Sequence, residues 1–161
     1  MSIYTPSPGS RRRLVADTTA LISYFSSVFN QGSKISKRAI SLIDSAFRYE
    51  DEVILSIPGV VFVEIFDKWF RGDKSQDEEF RAKFKFEVFE QVRRAPNIEI
   101  REIDAEVLEK FLSLQDPDIN LENSDRLILA SAAVLESPLI TSDSDLIRYV
   151  KKHRVIPSII S

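Results

Sequence analysis

Leu14-Val-Ala-Asp17 and Val53-Ile-Leu-Ser-Ile-Pro58 are two short apolar runs with a stretch of helical periodicity between them, and these three segments decide the fold. Each run is short enough to be a buried strand, and each stops abruptly, at Asp17 in one and at Pro58 in the other. Between them Ile35, Ala39, Leu42, Ile43 and Ala46 recur at the spacing of one helix face, which predicts a helix over 35–47. Strand, helix, strand is a βαβ unit, because parallel neighbours need a crossover long enough to hold a helix.

The alternation continues outward. Pro58 suits the first turn of a helix, where its missing N–H has no partner to lose, so a helix carrying Glu64 is expected over 59–70. Residues 72–79 are almost wholly polar and read as a loop or a frayed helix end. A helical pattern then runs from Phe80 to about Val92, until Ala95 and Pro96 stop it. Further on, the sequence predicts a partly exposed strand over 98–103, a helix over 105–114 and a loop over 115–123. Ser124 is expected to N-cap a helix reaching about Glu136, followed by a strand at 139–141, a helix through Tyr149 and a last strand near Val155. The expected fold class is α/β: a three-layer α/β/α sandwich with a mainly parallel sheet of roughly five strands. Sites in such sheets lie outside the carboxyl ends of the strands.

With 161 residues, 43% of them hydrophobic, the chain suits one buried core, so residues 14–161 are read as a single domain behind a flexible tail over 1–13. The tail lacks the apolar core of a secretory signal, and its end, Arg11-Arg-Arg13, reads as a solvated lead-in to the first strand. Lys and Arg number 22 against 25 Asp and Glu, a net charge of −3 that advertises no broad polyanion-binding surface. The absence of Cys excludes disulfides, thiolate metal ligands and a thiol nucleophile, and fits a reducing cytoplasmic setting.

The chemistry must come from carboxylates. Asp17 directly follows a strand, which suits a turn residue as well as a ligand, and its sequel Thr18-Thr-Ala-Leu21 is no glycine-rich phosphate loop. Glu64 makes a favourable i, i+4 pair with Lys68, and on local grounds that surface pairing is the better reading. Its apolar setting among Val60, Val61, Phe62, Val63 and Ile65 favours a functional one, because an unpaired carboxylate there would be costly. Asp125 shares a helix face with Ile128, Leu129 and Ala132, so it should look toward the core edge rather than into solvent. In Thr141-Ser-Asp-Ser-Asp145, Asp143 is the better ligand candidate and Asp145 serves equally as an N-cap, with Thr141 or Ser142 orienting neighbouring carboxylates. Carboxylates that converge repel one another unless a cation joins them, and hard oxygen donors suit magnesium or manganese. The single imidazole, His153, lies in a basic run and reads as a surface residue.

Leu14-Val-Ala-Asp-Thr-Thr-Ala-Leu21, Ile57-Pro-Gly-Val-Val-Phe-Val-Glu-Ile65, Ser124-Asp-Arg-Leu-Ile-Leu-Ala-Ser-Ala132 and Leu139-Ile-Thr-Ser-Asp-Ser-Asp-Leu146 together resemble the PIN-domain ribonucleases, in order and in context from Leu14 to the end. The resemblance implies an acidic quartet of Asp17, Glu64, Asp125 and Asp143 binding one or two Mg2+ or Mn2+ ions, with Asp145 as a frequent additional acid and Thr18, Ser124, Thr141 and Ser142 in support. It implies endoribonuclease chemistry that leaves a 5′-phosphate and a 3′-hydroxyl. Many compact members similar to this chain are toxins of toxin–antitoxin modules, which form homodimers and are silenced by a cognate antitoxin. The chain departs from that pattern in its tail, in the charged stretch 71–81 and at Arg126, where a small apolar residue is common. Two other readings stand beside this one. An aspartate-based phosphohydrolase would use Asp17 as nucleophile, but Thr19 stands where a second acid is needed. A non-enzymatic interaction module would keep the fold without turnover.

Overall fold

The computed structural model describes residues 12–48, 53–69 and 74–161. Strands β1 (Arg12–Ala16), β2 (Val53–Pro58), β3 (Ile98–Arg101), β4 (Leu139–Ile140) and β5 (Ile159–Ile160) form one sheet in the order β3-β2-β1-β4-β5, with every pair parallel. β1 is central: Val15 pairs with Ser56 on one side and with Leu139 on the other. Successive strand residues face opposite sides of a sheet. Leu14, Val15, Ala16, Leu55, Ser56 and Ile57 are nevertheless all fully buried, so helices cover both faces, as a parallel sheet requires. This is the α/β sandwich predicted from the sequence.

Among the described residues, the crossover from β1 to β2 holds three helices rather than one: α1 (Thr18–Tyr24), α2 (Ser26–Phe29) and α3 (Lys37–Phe47). α3 is the predicted helix, capped by Ser36, whose hydroxyl accepts the Ala39 N–H at 3.1 Å, and it buries Ala39, Ile43 and Ala46. Pro58 closes β2, in register with Arg101, instead of opening the next helix; a proline's fixed φ fits the end of a strand as well. α4 (Gly59–Trp69) therefore begins one residue later.

α5 (Lys74–Phe84), a π-helical turn (Lys85–Phe89) and α6 (Glu90–Arg94) follow. The stretch 72–79, expected as a loop or a frayed helix end, is helical from Lys74 on, with 72 and 73 outside the described residues; Phe80 and the buried Phe84 pack against Phe29 and anchor an otherwise polar helix. Residues 1–11 of the expected tail lie outside the described residues, and Arg12 and Arg13 already belong to β1.

The second half carries α7 (Ala105–Ser113), α8 (Asn123–Val134) and α9 (Ser144–His153). α8 starts one residue before Ser124, with Glu122 in the cap position and no side-chain cap bond, so Ser124 lies in the first turn and is not the N-cap. α9 ends at Arg154 in the left-handed region (φ 52°), and the last strand forms at Ile159–Ile160 rather than near Val155. His153 stacks on Tyr149, with its Nε2 2.6 Å from the Asp116 carboxylate, which ties the 114–122 loop to α9. Among the described residues no helix is long and apolar enough to cross a membrane.

Truncating a central-strand side chain leaves a cavity, so Leu14→Ala should lower unfolding free energy by about 2–5 kcal/mol. Leu112→Ala, at a side chain 69% exposed, should stay within about 0.5 kcal/mol. Urea unfolding of the two variants measures the contrast, and equal losses would mean that β1 is not the centre of the core.

Candidate functional site

The carboxyl ends of β1, β2 and β4 lie side by side, and each leads straight into site residues. The Asp17 N–H donates to the Ile140 carbonyl at 3.2 Å, so the ladder still grips the chain one residue beyond β1. The Asp17 side chain turns back, its Oδ1 accepting the Ala20 N–H at 2.7 Å, and thereby caps α1. Only 3% of the residue is exposed. Burial pushes its pKa up to about 6; hydrogen bonds from Thr141 and Ala20 oppose the rise, and the charges of Asp143 and Glu64 add to it.

Glu64 projects from the second turn of α4. Its Oε2 accepts the Thr18 hydroxyl at 3.0 Å, and its Oε1 meets the Lys68 ammonium at 2.8 Å. The favourable i, i+4 pair foreseen in the sequence therefore exists, yet it lies inside the site rather than on a solvated face. Asp125 stands in the first turn of α8 above the fully buried Ile128, Leu129 and Ala132. Burial pushes it up to about 7, helped by the charges of Asp143, Glu64, Glu122 and Asp17 in that order. Asp143 caps α9 by accepting the Leu146 N–H at 2.9 Å, while its own N–H donates to Thr141 Oγ1 at 3.0 Å.

Asp17, Thr18, Glu64, Asp125 and Asp143 line one cavity of about 160 Å3, together with Thr19, Lys68 and Glu122. Asp145 does not line it. It sits in the first turn of α9, paired with Arg148 at 3.2 Å, and the cap role expected of it belongs to Asp143, because the helix starts at Ser144. Ser142 is also absent from the lining, and Ser124 lies on an adjoining hollow bordered by Glu64, Lys68 and Glu122. Glu122 and the inward role of Lys68 went unread in the sequence. Glu122 stands three residues before Asp125, and a helix start placed at Asn123 would have revealed that both share one helix end.

The acid-lined cavity lies outside the carboxyl ends of a parallel sheet with helices on both faces, which is where ligands bind in open α/β sheets. The sequence profile of the PIN domain matches residues 14–152, and the chain belongs to that family, whose members are in general nucleases. Solved structures agree on the fold. The chain is similar to one in VapBC2 from Rickettsia felis bound to a DNA fragment from their promoter (14% identity, 92% of this chain and 97% of that one, TM-score 0.60). It is similar to one in FitAcB from Neisseria gonorrhoeae (14%, 92% and 96%, 0.63). A third likeness is to VapBC-5 from Mycobacterium tuberculosis, a member of the VapBC family of toxin-antitoxin systems (14%, 92% and 98%, 0.59). No curated protein matches the sequence.

PIN nucleases in general use divalent metal ions, and the donor chemistry here fits one. The acids in the cavity are all hard oxygen donors, and Asp17 and Asp125 resist ionising, chiefly through burial and further through the charges of their acidic neighbours. Among the described residues, no three acidic or imidazole side chains are close enough to enclose an ion by themselves. That suits a hydrated magnesium-type ion, which keeps several waters and takes only one or two carboxylates plus substrate phosphate. Lys68 supplies part of the missing positive charge by its bond to Glu64.

Asp125 has a folded pKa near 7 against an ordinary 3.8, so the metal-free folded state holds its proton more tightly than the unfolded chain does. Its contribution to stability is complete below about pH 4 and lost as pH rises toward 7. In chelator, Asp125→Asn should therefore gain thermal stability relative to the parent as pH is raised from 4 to 7; a constant difference across that window would refute the assignment. Lys68→Met should tighten Mn2+ binding severalfold in calorimetric titration by freeing Glu64, and unchanged affinity would show that the ammonium does not compete.

Proposed function

We propose that this protein is a magnesium- or manganese-dependent endoribonuclease that hydrolyses RNA phosphodiester bonds at the Asp17, Glu64, Asp125 and Asp143 cavity. The observation that supports this most directly is the meeting of acids from four separate elements in one cavity, with two of them destabilised in their charged form. In this reading Asp17, Asp125 and Asp143 would hold the metal, in part through the ion's own waters. A bound divalent ion supplies Lewis-acid polarisation of the scissile phosphate and a more acidic attacking water. Glu64, fixed by Thr18, orients that water. Thr141 sets the angle of Asp143 through its backbone and is hydrogen bonded to Asp17. Glu122, on the cavity wall, adds negative charge that strengthens cation binding.

The solved structures named above include toxin–antitoxin complexes, and this favours a toxin within a toxin–antitoxin module as the biological setting. The expected partners are then RNA, a cognate antitoxin and a second copy of the chain, in the cytoplasm. In this reading Asp145, the additional acid that the resemblance implied, serves α9 rather than the metal, since it pairs with Arg148 and lies off the cavity lining.

Purified protein should cut several structured RNAs with Mn2+ or Mg2+ and should stop when chelator is added. Asp17→Asn and Asp143→Asn should each abolish cutting, by at least about a hundredfold for a group that stabilises the transition state, with the fold retained in circular dichroism. Cutting that survives both substitutions would move the active site elsewhere.

A further inference from the structure

Next to the acidic cavity lies a second hollow of about 370 Å3, lined in part by Thr19, Ser23, Gln31, Gly32, Lys34 and Lys68. Thr19 and Lys68 line both spaces, so the two share a wall. Their chemistry is opposite: among the described residues no carboxylate lines the hollow, while two ammonium groups do.

The segment that carries Lys34 is held in a defined shape. α2 ends at Asn30 in the left-handed region (φ 53°), and the Lys34 N–H donates to Ser23 Oγ at 3.0 Å, pinning the chain to α1. The Ser33 hydroxyl donates to the Ile35 carbonyl at 3.0 Å, and Ser36 then caps α3. The Lys34 backbone is thus fixed, its side chain is exposed, and it makes no ion pair among the described residues. Lys68 is committed to Glu64 at the border of the two spaces. At Gly32 a Cβ would meet nothing within 4 Å, so the backbone wall there is open.

A polyanion must bring its phosphates up to a wall of carboxylates on a chain of net charge −3, and that approach needs local cations. We propose that the hollow between Lys34 and Lys68 is a substrate subsite that receives the nucleotide next to the one being cut. Lys34 faces its phosphate, and the hydroxyl and amide groups of Ser23 and Gln31 face its sugar or base. The inference rests on the nuclease reading above and names a binding element that the acids do not provide. Single-stranded RNA is the occupant favoured over an acidic peptide. The shared wall places whatever binds here beside the acids, and only a phosphodiester gives them a bond to act on.

The test uses the full chain and a fluorescent single-stranded RNA, with binding read by anisotropy in the uncutting Asp143→Asn background and cleavage read in otherwise unsubstituted protein with Mn2+. Lys34→Met should weaken binding about threefold to fivefold, the effect of one exposed charge contact. It should also lower the salt-dependence slope by about one. Gly32→Phe, which fills the hollow, should weaken binding at least as much; both variants should raise KM with kcat nearly unchanged, keep the parental melting temperature, and differ from a silent Lys110→Met control on α7. If the parent binds and cuts RNA while Lys34→Met and Gly32→Phe match it, the subsite is overturned and the nuclease reading stands. If the parent neither binds nor cuts RNA, both fall. Lost affinity for an acidic peptide at unchanged RNA affinity would make the hollow a protein-docking surface and overturn the subsite.

Discussion

Asp17 is held at the end of the central strand by the pairing of β1 with β2 on one side and β4 on the other. Because all five strands run the same way, their carboxyl ends must lie along one edge, and whatever follows each strand must gather there. α1 starts at Asp17, α4 leaves β2 carrying Glu64, and the turn after β4 delivers Thr141 and Asp143. α8, which packs against β1 and β2 and buries Ile128 and Leu129, brings Asp125 to the same place. The edge is therefore costly in the absence of a cation: capping bonds recover about 1 kcal/mol each, and the acids at Asp17 and Asp125 still resist ionising.

Lys68 tempers that cost without cancelling it. A lysine one turn along from Glu64 is an ordinary helix pair in sequence, but here the Glu64 side chain is only 12% exposed and the ammonium faces the cavity. Burial opposes its charge, but the hydrogen bond and charge of Glu64, with smaller help from Asp125 and Glu122, raise its pKa. One cation serving several anions leaves the cavity short of positive charge. That shortage is what makes a hydrated divalent ion an apt occupant.

Strands were legible because apolar runs bounded by Asp17 or Pro58 have few alternatives, and the βαβ order then fixed parallel pairing. Asp17 and Asp143 could be placed at the edge for the same reason. Glu64 could not be separated from a surface pair by local reasoning, and its inclusion came from the family resemblance; its position beside Thr18 is a tertiary fact. The cap of α9 was misread because Asp143 and Asp145 sit in alternating Ser-Asp sequence, and only the true start of the helix, set by burial of Leu146, tells them apart. Ser124 was misread in the same way. Residues 74–79 read as a loop or a frayed helix end since their polarity hides the anchoring by Phe80 and Phe84 farther along. Glu122 went unread because the cap of α8 was placed at Ser124, which hides that it shares a helix end with Asp125; its other neighbours, Glu64 and Lys68, come from another part of the chain.

Both outer strands are short: β5 is two residues long, and β3 is four, with Glu99 and Arg101 among them. An open sheet recruits foreign strands through its unpaired outer peptide groups, and these margins offer a brief, partly charged template. Filament growth by edge-to-edge stacking is accordingly disfavoured. Self-association that buries appreciable area must instead engage helical surfaces, such as the one that exposes Val63 and Phe66 on α4.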